Sequence, residues 1–284
     1  MSHSQHALIA LFLVVFLSTS CPSTRAQSVN CGGAQSADDL NARSLLNQGV
    51  AAYKSARYAD AITFFQKASD LAPCLTMARL YLGTAQAQNV VPGLDTPDNL
   101  ATAQQAIENF RQVLASEPHD VNALKQVAAV YFSIKKLDDA REWQKKVLVE
   151  NPNDPEAAYT IGVIDWTQAH QNALAALTAA GLQDDGMGDI KAPAEVLEKI
   201  KQQNSALVAE ALDYLTRALQ SRPDYDDAMA YINLVYRRKA DLDYDNPALR
   251  DQDIDQAKEW NRKAMLTRKE NEEKKSAAPA PPQP

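Results

Sequence analysis

Glycine, cysteine and basic residues are in short supply. Nine glycines in 284 residues leave few positions for the tight turns of a strand-rich fold. Abundant alanine favours helix over sheet. Twenty-nine Lys and Arg stand against 36 Asp and Glu, a net charge of −7. That lacks the basic excess of a nucleic-acid-binding surface, so no nucleic-acid partner is expected. Histidine numbers four; His3 and His6 lie in the leading segment, and His119 and His170 are not expected to meet. No HExxH, CxxC, nucleophile elbow, Walker loop or dinucleotide-binding glycine pattern occurs. The expectation is therefore no catalytic residue, no cofactor and no metal ligand, and the chain is read as not an enzyme.

Apolar residues nevertheless make up 45% of the chain, enough for a packed core. The run Ala7 to Leu17, "ALIALFLVVFL", is eleven residues long. It is too short to span a bilayer and suits the core of a secretory signal. The leading "MSHSQH" carries no Lys or Arg, whereas Thr24-Arg25-Ala26 offers small residues for cleavage before Gln27. Residues 1–26 are thus expected to be a signal peptide, leaving a periplasmic or secreted chain with no transmembrane span. Cys21, after "LSTS", offers the weaker alternative of a lipid anchor, with its apolar residue one place too early and Pro22 following.

A spaced pattern then recurs. Ala61, Phe65, Ala68 and Pro73 form an apolar stripe along one helix with a proline at its end. Ala106, Phe110, Val113 and Pro118 repeat the spacing, as do Ala140, Gln144, Val147 and Pro152, and then Ala211, Leu215, Ala218 and Pro223. Ala257, Asn261 and Ala264 close the series. Each such helix follows another, marked by Gly49, Gly83, Ala128, Gly162 or Asn233. Gln144 and Asn261 stand where a large apolar residue is expected, with Trp143 and Trp260 beside them as replacements.

The unit is a helix-turn-helix repeat, and Pro118 and Pro152 are 34 residues apart. It resembles the tetratricopeptide repeat (TPR) family. The resemblance implies an all-α, right-handed superhelical solenoid of stacked antiparallel helix pairs over residues 38–275. Five repeats are expected, at 42–75, 76–120, 121–154, 155–225 and 226–270. Pro73 to Pro118 spans 45 residues and Pro152 to Pro223 spans 71, so repeats two and four carry insertions, and repeat five carries another. In repeat four the next breaker after Pro155 is Gly181, and a second long helix starts near Pro193. Ala173, Leu174, Leu177 and Ala180 should face Val196, Leu197, Ile200 and Leu207 in an overlong helical hairpin projecting from the solenoid. Residues 27–37 are expected to be flexible, and 276–284, "SAAPAPPQP", a Pro/Ala-rich extended tail.

In this family the first helices of the repeats line a groove, which implies a protein or peptide partner. The corresponding residues include Arg43, Tyr53 and Lys54; Met77, Leu80 and Thr84; Asn122, Lys125 and Phe132; Tyr159 and Trp166; and Asp227, Arg237 and Arg238. Leu46 and Val50 replace the Lys and Asn that clamp chaperone carboxylates, so that specialised role is not expected. A small-ligand carrier or sensor, using the groove and the projecting hairpin, is the second reading. Asp241, Asp243 and Asp245 have the spacing of a calcium loop, but Gln252 replaces its bidentate Glu; a polar inter-helix loop is the other reading. Cys31 and Cys74 flank the first helix pair at one end and are candidates for a disulfide in an oxidising compartment.

Overall fold

The computed structural model describes residues 36–186 and 192–277. Ten helices and no strand occur among them, in five antiparallel pairs: α1 (Ala37–Lys54) with α2 (Tyr58–Leu71), α3 (Thr76–Ala87) with α4 (Pro97–Ser116), α5 (Val121–Ser133) with α6 (Leu137–Glu150), α7 (Pro155–Ala179) with α8 (Ala194–Ser221), and α9 (Asp226–Leu242) with α10 (Pro247–Ala277). Each pair packs on the next, giving a solenoid of stacked helix pairs. The expected signal peptide, Cys21, Cys31 and most of the terminal segments lie outside the described residues. Ser276 and Ala277, expected in the tail, are the last residues of α10.

Local chemistry sets the helix ends. Ser36 and Asp39 form a reciprocal capping box on α1, with Asp39 N–H donating to Ser36 Oγ at 3.1 Å and Ser36 N–H to Asp39 Oδ2 at 2.9 Å. Thr96, Asp120 and Asp154 cap α4, α5 and α7 through their side chains. Repeats one and three keep short turns between their helices. There Ala56 (φ 57°) and Lys135 (φ 58°) take the left-handed conformation that an L side chain rarely adopts.

The small residue of the first helix makes room for the large residue of the second. A Cβ on Gly49 would sit 2.4 Å from the Phe65 ring, on Gly83 2.8 Å from Phe110, and on Gly162 2.5 Å from Leu215. Close approach of the helices is therefore built into these three pairs. Repeat three departs, with Gln144 buried and its carbonyl oxygen unpaired among the described residues. Trp143 packs against the core on either side, and Trp260 packs against the main core cluster in repeat five. Asn261 is exposed, so repeat five has no core residue at that place.

The hairpin of repeat four is as long as expected, with helices of 25 and 28 residues. Its seam uses Ala173, Ala176 and Leu177 against Leu197 and Ile200, whereas Leu174 and Ala180 are exposed. Asn204 closes the seam by donating to the Ala169 carbonyl at 2.8 Å. The hairpin does not project. The insertion in repeat five lengthens α9, and the hairpin lies against it. Lys201 approaches Asp245 at 3.4 Å, and Asp184 in the hairpin turn pairs with Arg238 at 2.8 Å. Two insertions, far apart in sequence, cover one another.

Candidate functional site

A concave groove of about 600 Å³ runs across repeats one to three. Its walls come from α1 (Val50, Tyr53, Lys54), α3 (Met77, Leu80, Tyr81, Thr84) and the start of α5 (Asn122, Gln126), and the turn after α4 contributes Glu117 and Asp120. Heptad-like spacing puts Val50 and Tyr53 on one face of α1, and Met77, Leu80, Tyr81 and Thr84 on one face of α3. The opposite faces carry Ala42, Ala52, Ala78 and Ala85 into the core. Met77 is 50% exposed. Tyr53 meets Tyr58 edge-on, ring centroids 5.3 Å apart; burial, and then Tyr58 beside it, raises its phenol pKa.

Tyr53, Lys54 and Asn122 thus lie together in this lining, with Met77, Leu80 and Thr84. Arg43 and Phe132 are exposed on α1 and α5, outside the cavity lining. Lys125 is committed within the protein: its Nζ lies 2.6 Å from Asp154 and 3.5 Å from Glu156. Burial alone would raise the Asp154 carboxyl, but the Lys125 ammonium and the Ala157 amide hold it below its ordinary range. Glu117, Asp120 and Gln126 are among the groove residues that helix spacing missed, as are Thr76 and Tyr81 on α3. Two of them belong to a turn, and the only signal for them was their place beside Pro118.

Repeats four and five present a different concave face. Tyr159 packs on Tyr225 (4.9 Å) and Tyr231 (5.6 Å), and Trp166 stacks flat on His170 (5.2 Å) and meets Tyr231 edge-on (5.3 Å). Burial is the leading cause of raised phenol pKa values at Tyr159 and at Tyr225, the latter pushed up to about 12. Both Tyr159 and Trp166 pack against the main core cluster. Ion pairs lace the same face, Arg222 to Glu156 at 3.1 Å and Arg268 to Asp226 and Asp227 at 2.7 Å each.

Arg238 corrects the sequence reading. It is 3% exposed, not a groove cation, and it bridges Asp184 (2.8 Å) and Asp241 (3.0 Å). Arg237 donates to the Gly186 carbonyl at 2.9 Å. Lengthened α9 and the hairpin turn enclose the pair, which in an uninterrupted repeat would face solvent. The calcium-like spacing also dissolves: Asp241 faces Arg238, Asp243 faces Lys239 and Asp245 faces Lys201. Among the described residues no group of three His, Cys, Asp or Glu is placed to hold a metal ion, and no helix is long and apolar enough to cross a membrane. Cys74 is disulfide-bonded; its candidate partner Cys31 lies outside the described residues.

Two segments, 42–73 and 102–162, match models described as tetratricopeptide repeat. No curated protein sequence matches. Among solved structures, MamA from residue 41 to its end, from Desulfovibrio magneticus RS-1, is 16% identical with a TM-score of 0.55, covering 84% of this chain and 98% of that one. A crystal structure of MamA protein gives 16% identity and a TM-score of 0.53 over 84% and 98%. Another gives 14% and 0.52 over 79% and 96%. These likenesses show the fold. With the paired helices and the close glycine packing in hand, residues 42–73 and 102–162 carry tetratricopeptide repeats, and the chain has the fold of a tetratricopeptide-repeat solenoid.

Proposed function

We propose that the protein is an exported, non-catalytic scaffold that holds a protein or peptide segment in the groove of repeats one to three, in the bacterial cell envelope. One observation carries the binding reading: residues that the repeat pattern assigns to the concave face converge on an apolar cavity of about 600 Å³, within the ~300–1,000 Å³ of ordinary ligand sites. Export rests on the apolar run at 7–17 and the small residues before Gln27; a disulfide at Cys74 agrees with an oxidising compartment. The small-ligand reading has less behind it. None of the residues lining the cavity belongs to the repeat-four hairpin, which lies on α9 instead.

Affinity capture after mild crosslinking tests the binding reading, comparing the wild type with Met77→Glu. Proteins enriched by the wild type and lost from a normally folded variant are the expected result. Failure of the wild type to enrich any protein would overturn it. For export, cell fractionation should recover a chain beginning at Gln27 outside the cytoplasm. A cytoplasmic chain retaining residues 1–26 would contradict it.

A further inference from the structure

We propose that the groove takes an extended peptide bearing an apolar side chain with a lysine or arginine next to it. This rests on the groove reading above and adds the chemistry of the occupant. The apolar part of the lining, Val50, Met77 and Leu80, offers surface to one or two side chains. The rim supplies the charge. Glu117 and Asp120 each use one oxygen inside the protein: Glu117 Oε1 accepts from Thr76 Oγ1 at 2.5 Å, and Asp120 Oδ1 accepts from the Ala123 N–H at 2.7 Å. No Lys or Arg nitrogen comes within 4.0 Å of either carboxylate among the described residues. His119, between them in sequence, turns to Glu150 at 2.9 Å.

The contrast with the rest of the concave surface makes this informative. Asp154, Glu156, Asp226 and Asp227 all have a cationic partner within the protein. Glu117 and Asp120 keep two carboxylates open beside an apolar cavity, and the complement of that pair is a cation held by charge-assisted hydrogen bonds. A net charge of −7 also steers cationic segments toward the protein at long range. Lys54, on the facing wall, has no carboxylate within 4.0 Å among the described residues. It gives the groove a polarity, with the basic residue of the peptide at the Glu117 end.

The test uses the mature chain and three pools of fluorescent peptides about twelve residues long, read by anisotropy. Each pool has a central Leu in a Ser/Gly background; one adds Lys and Arg, one adds Asp and Glu, one adds neither. The basic pool should bind at least about tenfold more tightly than the neutral pool, with an advantage that shrinks as salt rises from about 50 to about 300 mM. Glu117→Gln with Asp120→Asn keeps the Thr76 bond and the helix cap. It should remove most of that advantage and leave the neutral pool within about twofold. If the double variant binds the basic pool as the wild type does, the attraction comes from overall charge and the proposal is overturned. If all pools bind alike and Met77→Glu weakens all of them, the groove reading stands and the basic residue is wrong. Loss of binding by every pool overturns both.

Discussion

Repeats one to three leave their concave side chains open, whereas repeats four and five close theirs on one another. The first region keeps Lys54, Glu117 and Asp120 without partners of opposite charge among the described residues, around an apolar cavity. The second joins Tyr159, Trp166, Tyr225 and Tyr231 into one cluster, ties Arg222 and Arg268 to carboxylates, and buries Arg238. The difference originates in the insertions. Long α7, α8 and α9 need each other to bury their extra length, and concave side chains are drawn into that packing.

The sharpest way to break the comparison is at Arg238. Arg238→Ala leaves Asp241 buried, and Asp184 half-buried, without the guanidinium between them and should cost about 3–5 kcal/mol of stability. Denaturant unfolding of the full chain measures it. A loss below about 1 kcal/mol would make the latch between hairpin and α9 dispensable. Trp166→Ala comes next. As a half-buried core aromatic it should cost about 3 kcal/mol, the low end for such truncations. Affinity for partner should be unchanged in the fraction still folded. Weakened binding with an unchanged melting curve would return Trp166 to the binding surface.

A pH slope distinguishes the same region. Burial pushes Asp241 up to about 7 and Asp165 up to about 6, against the pull of Arg238 and Arg141 respectively. Both folded-state values lie above the ordinary 3.8, so the folded chain holds more protons through that interval. The resulting stabilisation is full below about 3.8 and is lost as pH rises through 6 and 7. Between pH 5 and 8 the melting temperature should therefore fall more steeply in the wild type than in Asp241→Asn. Equal slopes would show that Asp241 does not titrate there. The smallest effect belongs to the open region: Met77→Glu should change stability by less than about 0.5 kcal/mol, as for an exposed side chain away from the core.

The repeats and helix limits were legible because their signals are local. Pro155 and Gly181 bracket α7, Pro193 precedes α8, and the Gly49–Phe65 pairing is written into one repeat length. Arg238 was not legible. Its place in the repeat says groove, and only the packing of another repeat's insertion over α9 buries it. Tyr159 and Trp166 were not legible as packed residues either, since Tyr231, which both rings meet, comes from the adjoining repeat. Glu117 and Asp120 escaped a reading based on helix positions because a turn delivers them to the groove.

Site-specific photocrosslinking compares the two regions most directly. Met77 and Asp227 hold corresponding places in repeats two and five, and both are exposed. A photoreactive residue would replace each in turn, in otherwise wild-type protein within its native cells. The account predicts covalent adducts to a protein partner from position 77 and none from position 227. Adducts from 227 with none from 77 would contradict it, placing the partner on the face that repeats four and five are described as closing.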